Sequence, residues 1–395
     1  MTKNIFENFS NNSPKGESFV PVQRAKYDFA VAYPDPESIP IDGLTNSISE
    51  ALSREGKDLA IYPDKQGYPP LRQFVAEKLL LERQIPLESN EIILTSGSNQ
   101  AIYMTAEILL DPGDVVITDD FLYSGTINIF QRFGAKILGI PSNNLGIDLE
   151  CLEKHNKKLT KEKNKPKLIY LIPTFQNPQG WSLDLEKRKQ IVLISKKYSI
   201  PILEDDCYVD LSFYGENLPS IKSLDPECDV IYVGSFSKTI APGMRMGFLT
   251  APEEYLNRLR RILPSGGVNQ FASLAIYHYS KNSLPSHIES INKILLNKKN
   301  TMISALEEYF GKNAKWNNPN GGLYIWVKLP KHSDTSIAEP IAFNQNVGFL
   351  PGVLFSADGF SGKNKMRLCF GFNQPKEIQE GIKKLSNVFY ELDYL

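Results

Sequence analysis

Between residues 234 and 245 the chain reads GSFSKTIAPGMR, with Ser235 and Ser237 just before Lys238 and Arg245 seven residues after it. A lysine amine condenses with a carbonyl to form a Schiff base, and it becomes a general base when its surroundings lower its pKa. Hydroxyls and a guanidinium are suitable donors for a phosphate. One short segment therefore carries the groups needed to hold a phosphorylated aldehyde.

Pyridoxal phosphate (PLP) is such an aldehyde, and it sets further requirements: a carboxylate for its ring nitrogen, donors for its phosphate and a partner for its phenolic oxygen. The stretch LEDDCY, residues 203–208, ends an apolar run with three acids and a tyrosine. Taken alone, that cluster also reads as a solvated strand end or a metal site, although no histidine lies near it in sequence. TSGSNQA, residues 95–101, puts small residues where a strand gives way to a helix. A helix N-terminus with free N–H groups favours an anion, and an ordinary strand-to-helix turn has the same look. Tyr123 in DDFLYSG can stack on a ring, and Asn177 in PTFQNPQG can bond an oxygen at its edge.

These residues need a scaffold. The runs EIILT, VVITD, AKILGI, LIYLI, PILED, VIYVG and MGFLT are short and mostly apolar throughout. Helical patterns separate several of them, over 98–110, 122–133 and 184–198. Continuous apolar strands alternating with helices predict an α/β fold with a mainly parallel sheet covered on both faces. Helices are also expected over 42–54 and along LRQFVAEKLLLER, and long helices from 253 to 310. LYIWVKL and KMRLCF then read as strands, and Ile378, Ile382, Leu385, Phe389 and Leu392 form the stripe of a final helix. This predicts a second, smaller α+β unit. The segment KHNKKLTKEKNKPK reads as a solvated loop.

The chain has 395 residues, 42% hydrophobic and 23% charged, with a net charge of −1. That composition is globular and shows no nucleic-acid or membrane partner. Cys151, Cys207, Cys228 and Cys369 form no CxxC pair, which argues against a zinc site or a disulfide framework and fits a reducing cytoplasm. The N-terminus has no apolar signal-peptide core, and no apolar run is long enough to span a bilayer.

Taken together, YPDKQGYPPLR, TSGSNQA, YLIPTFQNPQG, LEDDCY, GSFSKTIAPGMR, NGGLYIWVKLP and MRLCF resemble, in content and order, the fold-type I PLP-dependent aminotransferases of class I/II. The resemblance runs from DFAVAYPDPESIP to the C-terminus. It is nearest to the 2-aminoadipate and kynurenine aminotransferase subgroup and to the aminotransferase-like domains of MocR-type regulators. It implies a large domain with a seven-stranded sheet over residues 46–285, a small domain over 286–395 and an N-terminal arm over 1–45. It implies that Lys238 bonds the cofactor and then shuttles a proton, that Asp205 pairs with the ring nitrogen, and that Tyr208 and Asn177 hold the phenolic oxygen. Tyr123 would stack on the ring. Ser98, Asn99, Ser235, Ser237 and Arg245 would bind the phosphate, with Tyr68 reaching the phosphate of a neighbouring subunit in a homodimer. Arg367 would clamp the substrate carboxylate, with Asn177 and Tyr33 beside it. No metal is implied. The reaction would pass an amino group from an L-amino acid to a 2-oxo acid.

The match is poorest where Val31 and Ala32 replace a Gly-Gly pair common among relatives, beside Tyr33. Arg24, whose register is off, and Lys15 are candidate partners for an acidic substrate side chain. PSGGVNQFAS, residues 264–273, is expected to line the pocket. The same scaffold also serves β-lyases, decarboxylases and oxidases, and a MocR-type effector domain would need a DNA-binding domain ahead of the core. A plain nucleotide-binding fold leaves Lys238 and its neighbours unexplained, and no GxGxxG fingerprint is present.

Overall fold

The computed structural model describes residues 24–395 apart from 144, 216, 217 and 264. Lys15 lies outside the described residues. Seven apolar runs form one sheet: β1 (Ile93–Thr95), β2 (Val115–Asp119), β3 (Lys136–Ile140), β4 (Leu168–Leu171), β5 (Ile202–Asp205), β6 (Val230–Ser235) and β7 (Gly247–Thr250). Their order is β1-β7-β6-β5-β4-β2-β3, with β7 antiparallel to both neighbours and the other pairings parallel. Every residue of β2, β4 and β5 is buried, because helices cover both faces and neither side of the pleat meets water.

The helices begin with α1 (Ile41–Glu55), α2 (Pro69–Arg83), α3 (Ser98–Leu109), α4 (Ser124–Arg132), α5 (Leu149–Lys161) and α6 (Leu185–Tyr198). The expected solvated loop at KHNKKLTKEKNKPK is a correction: most of it belongs to α5. Asp148 caps that helix by accepting the Cys151 N–H at 3.0 Å, and Leu152 and Asn156 turn inward on one stripe. Most of the lysines do lie in water, but on an amphipathic helix.

Gln270–Tyr309 is a single helix of 40 residues with Pro285 inside it. Beyond it, β8 (Lys315–Trp316), β9 (Tyr324–Lys328), β10 (Leu350–Pro351) and β11 (Lys365–Cys369) form an antiparallel sheet in the order β8-β9-β11-β10. The last helix, Pro375–Glu391, buries Ile378, Ile382, Leu385 and Phe389. The segment after Arg24 returns to this region: Tyr27–Asp28 pairs in parallel with Val347–Gly348. Asp35 anchors it by accepting from buried Lys298 at 2.8 Å and from Gln374 at 3.0 Å. No described helix is long and apolar enough to cross a membrane.

Candidate active site

The parallel strands and β1 end on the same side of the sheet, and the motifs follow those ends, where open α/β sheets bind ligands. One cleft there is lined by Ala32, Ser98, Asn99, Tyr123, Ile172, Asp205, Cys207, Tyr208, Ser235, Ser237, Lys238, Pro242 and Arg245. Residues singled out for the cofactor in separate stretches of the sequence thus meet in one place, with Lys238 among them.

Lys238 Nζ donates to the Ala32 carbonyl at 2.7 Å. Burial lowers its pKa, and the guanidinium charges of Arg367 and Arg245 push the same way against nearby Cys369 and Cys207. An amine in this setting is closer to a usable base than a surface lysine.

Around Arg245 the backbone is drawn tight. Arg245 itself has φ 50°, and its Nη2 donates to the Ser96 carbonyl at 3.1 Å. Gly97 has φ 75°, and a Cβ there would strike the Arg245 guanidinium. Only glycine allows both the turn and the close approach. The chain then enters α3 with the Ser98 and Asn99 N–H groups in its first turn. The Ser237 N–H donates to Ser235 Oγ at 3.1 Å.

The three acids of LEDDCY diverge. Glu204 accepts the N–H groups of Ile221 and Lys222 at 2.8 and 2.9 Å, and burial raises its pKa to about 7. Asp206 pairs with buried Arg83 at 2.6 Å and accepts from the Tyr232 hydroxyl at 3.0 Å. Asp205 points to the cleft: Oδ2 accepts from the Tyr170 hydroxyl at 2.8 Å, and Oδ1 is buried with no partner. Burial raises the Asp205 pKa, opposed by bonds that favour its charged form. Among the described residues no group of three or more His, Cys, Asp or Glu side chains gathers to hold a metal.

Arg367 on β11 is 3% exposed and has no carboxylate partner among the described residues. Its Nη1 donates to Asn177 Oδ1 at 2.9 Å and its Nη2 to the Ala30 carbonyl. The faces of Tyr324 and Phe355 lie 4.6 and 4.8 Å from its Cζ. Asn177 Nδ2 donates to the Tyr208 hydroxyl at 3.0 Å, and Tyr208 and Tyr324 share a hydroxyl contact of 2.8 Å.

Two candidates stand apart. Tyr68 does not line the cleft; its hydroxyl donates to Glu55 Oε2 at 2.5 Å, and Glu55 Oε1 meets His278 Nε2 at 3.2 Å. Tyr33 packs on Phe372 at 5.8 Å, with Arg24 over its ring at 4.4 Å. Gly266–Phe271, within PSGGVNQFAS, lines a separate open hollow with Leu59–Pro63. Reasoning from sequence assigned no role to Cys207, Ile172 or Tyr324. Each lies inside or next to a quoted motif, so motif membership was the available signal.

A lysine, a buried carboxylate with one oxygen unpartnered and a cationic glycine-rich turn at the strand ends of this sheet define a fold-type I PLP-dependent transferase. The family model described as "Aminotransferase class I and II" matches residues 32–385, and the chain belongs to that family. It is a PLP-dependent aminotransferase. The aromatic-amino-acid aminotransferase 1 of Thermococcus litoralis is 32% identical over 91% of this chain and 86% of its own length. The solved kynurenine aminotransferase of Pyrococcus horikoshii superposes with a TM-score of 0.91 at 29% identity, over 99% of this chain and 98% of that one. The alpha-aminoadipate aminotransferase of Thermus thermophilus, solved with N-(5'-phosphopyridoxyl)-L-leucine, gives 0.85 at 30% identity over 92% of each chain. These neighbours bear out the expected subgroup and fold, and favour amino transfer over the lyase, decarboxylase and oxidase readings.

Proposed function

We propose that Lys238 bonds the cofactor and moves the substrate proton in an aminotransferase acting on an L-amino acid of moderate size and a 2-oxo acid. The observation that carries this is Arg367, a buried guanidinium with no described carboxylate partner. Such a charge needs an anion, and a substrate carboxylate supplies one in bidentate geometry.

Asp205 Oδ1, buried and unpartnered, suits a protonated ring nitrogen. The Ser98 and Asn99 amides, Ser235, Ser237 and Arg245 suit a phosphate. Tyr123 suits the ring face, and Asn177 and Tyr208 suit its phenolic oxygen. When bound, PLP supplies an aldehyde that condenses with amines and a ring that accepts an electron pair. The protein does the rest. Arg367 fixes the substrate carboxylate, so the α-carbon proton faces Lys238. Lys238 Nζ, with its pKa lowered by burial, takes that proton and returns it at the neighbouring carbon. Asp205 keeps the ring nitrogen protonated. Tyr33 and Ala32 bound the substrate side.

The working unit in this reading is a cytoplasmic homodimer in which Tyr68 serves the partner's phosphate; its place outside its own cleft supports that role. Residues 46–285 hold the cofactor and 286–395 form the small unit, with 1–45 as an arm. Pro285, within the long helix, supports the division there.

The test is an absorbance titration of the PLP-loaded protein with single amino acids and no oxo acid, beside Lys238→Ala. Loss of the visible band with a matching 2-oxo acid is the expected result and names the donor. Ammonia, carbon dioxide or peroxide without that loss would overturn it.

A further inference from the structure

Residues 28–35 form an arch at the rim of the cleft, tied down at both ends. At the near end the Phe29 N–H donates to the Gly348 carbonyl at 2.8 Å, and the Phe29 carbonyl accepts the Cys369 N–H of β11 at 2.9 Å. At the far end Asp35 accepts from Lys298 Nζ at 2.8 Å, and both side chains are buried. The same Nζ donates to the Gly371 carbonyl at 3.0 Å, so one ammonium joins the arch, the long helix and the loop that follows β11. The arch lies close against that loop: a Cβ on Gly371 would strike the Tyr33 carbonyl. Between the anchors the Tyr33 N–H donates to the Val31 carbonyl at 2.9 Å. Two other carbonyls of the arch meet the cations of the site, Ala30 accepting from Arg367 Nη2 and Ala32 from Lys238 Nζ.

Arg367 is thus held by two neutral acceptors, the Ala30 carbonyl and Asn177 Oδ1, while its Nε is buried with no partner. Two bonds fix the plane of the guanidinium, and the free Nε–H lies in that plane. We propose that Lys298 and Asp35 are positioning residues: by pinning the far end of the arch they hold the Ala30 carbonyl on Arg367, and so aim its fork at the substrate carboxylate. This rests on the reading of Arg367 given above. Neither residue lines the cleft. A buried ion pair is often no more stabilising than apolar side chains of similar volume, so the worth of this one lies in direction. With the anchor removed, the arch keeps its near end alone, and the fork loses one of the two bonds that set its plane.

The experiment uses the full-length, PLP-loaded wild type, Asp35→Asn and the double variant Asp35→Leu/Lys298→Met. The double variant leaves no charge buried alone; Asp35→Asn keeps the shape of the side chain and weakens the bond. Loss of the visible band is followed with L-phenylalanine and L-leucine, and with 2-phenylethylamine and 3-methylbutylamine, which carry the same side chains and no carboxylate. Melting temperature and PLP affinity are read alongside. The double variant is expected to need about tenfold more amino acid for half-maximal rate, with the maximal rate, melting temperature and PLP affinity near wild type, since misplacing a positioning group by ~1 Å can cost up to ~hundredfold. Asp35→Asn is expected to need about threefold more, the scale of one weakened hydrogen bond. The amines are expected to react alike with all three proteins. An unchanged half-maximal concentration in the variants overturns the proposal. So does a loss shared equally by amino acids and amines, since that outcome marks the pair as general support for the site. A wild type that does not favour the amino acids over the amines would instead bring down the underlying reading of Arg367.

Discussion

Asn177 links Arg367 and Tyr208 through one amide: its Oδ1 accepts from Arg367 Nη1 at 2.9 Å, while its Nδ2 donates to the Tyr208 hydroxyl at 3.0 Å. The donor side of Arg367 fixes which way the amide points, so the same group cannot serve the two neighbours in reverse. Asn177→Ala should therefore disturb both the carboxylate site and the phenolic oxygen. Losing a hydrogen bond to a charged group costs about 1.5–3 kcal/mol. The expected outcome is a fall in kcat/KM of roughly tenfold to a hundredfold, together with a displaced visible band. A fall in kcat/KM with an unchanged spectrum would uncouple the two tasks.

Arg367→Lys keeps the charge and loses the planar fork. Its ammonium also cannot lie flat between Tyr324 and Phe355 as the guanidinium does. Steady-state kinetics should show KM for the amino acid rising at least about tenfold, with a smaller change in kcat. Equal KM values would remove Arg367 from the carboxylate role.

Lys238→Ala should show no visible band of the wild-type kind and slow the half-reaction by about a hundredfold to ten-thousandfold, the usual worth of a positioned general base. Single-turnover mixing with the amino acid donor is the measurement. Added small amines should recover part of the rate, since they can stand in for the missing base.

Arg83 and Asp206 form a buried pair under α2, 2.6 Å apart. Arg83→Leu leaves Asp206 charged and enclosed, with only Tyr232 to bond it. Removing one member of such a pair costs about 3–5 kcal/mol. Urea unfolding should report that loss, while cofactor affinity changes little because Asp206 faces away from the cleft.

Glu204 gives a pH signature. Its folded-state pKa is raised to about 7, chiefly by burial, above the ordinary 4.5. The folded state therefore binds the proton more tightly than the unfolded state does. Its stabilising contribution is present below about 4.5 and is lost as pH rises through about 7. Urea midpoints from pH 5 to 8 should show wild type losing ground against Glu204→Gln, which cannot titrate. Parallel curves would remove Glu204 as the source.

Much of this architecture is written locally. VVITD, LIYLI and PILED are largely apolar because both faces of the sheet are covered, and that pattern needs no partner to be recognised. Lys238, Ser235, Ser237 and Arg245 share one short segment, so their joint chemistry shows in sequence. The harder features depend on contacts across the fold. α5 reads as a loop because its lysines outnumber the two buried positions, Leu152 and Asn156, that mark its inner stripe. Thr335–Asn344 carries Pro340 inside a helix and shows no clear period. The fates of Glu204, Asp205 and Asp206 differ because of Arg83, Tyr170 and the Ile221 N–H, none of which is adjacent in the chain. Tyr324 and Cys207 join the site only once β9 and α3 have been brought beside the strand ends.

The helix Gln270–Tyr309 runs unbroken past Pro285. From Pro285 to its far end it is ~36 Å long, so a bend of ~3° there swings the tip by ~2 Å. The helix packs along the final helix, beside the sheet that carries Arg367. Pro285 leaves one backbone bond unmade inside this rod, so any flexure there would be magnified at the end that packs on the final helix.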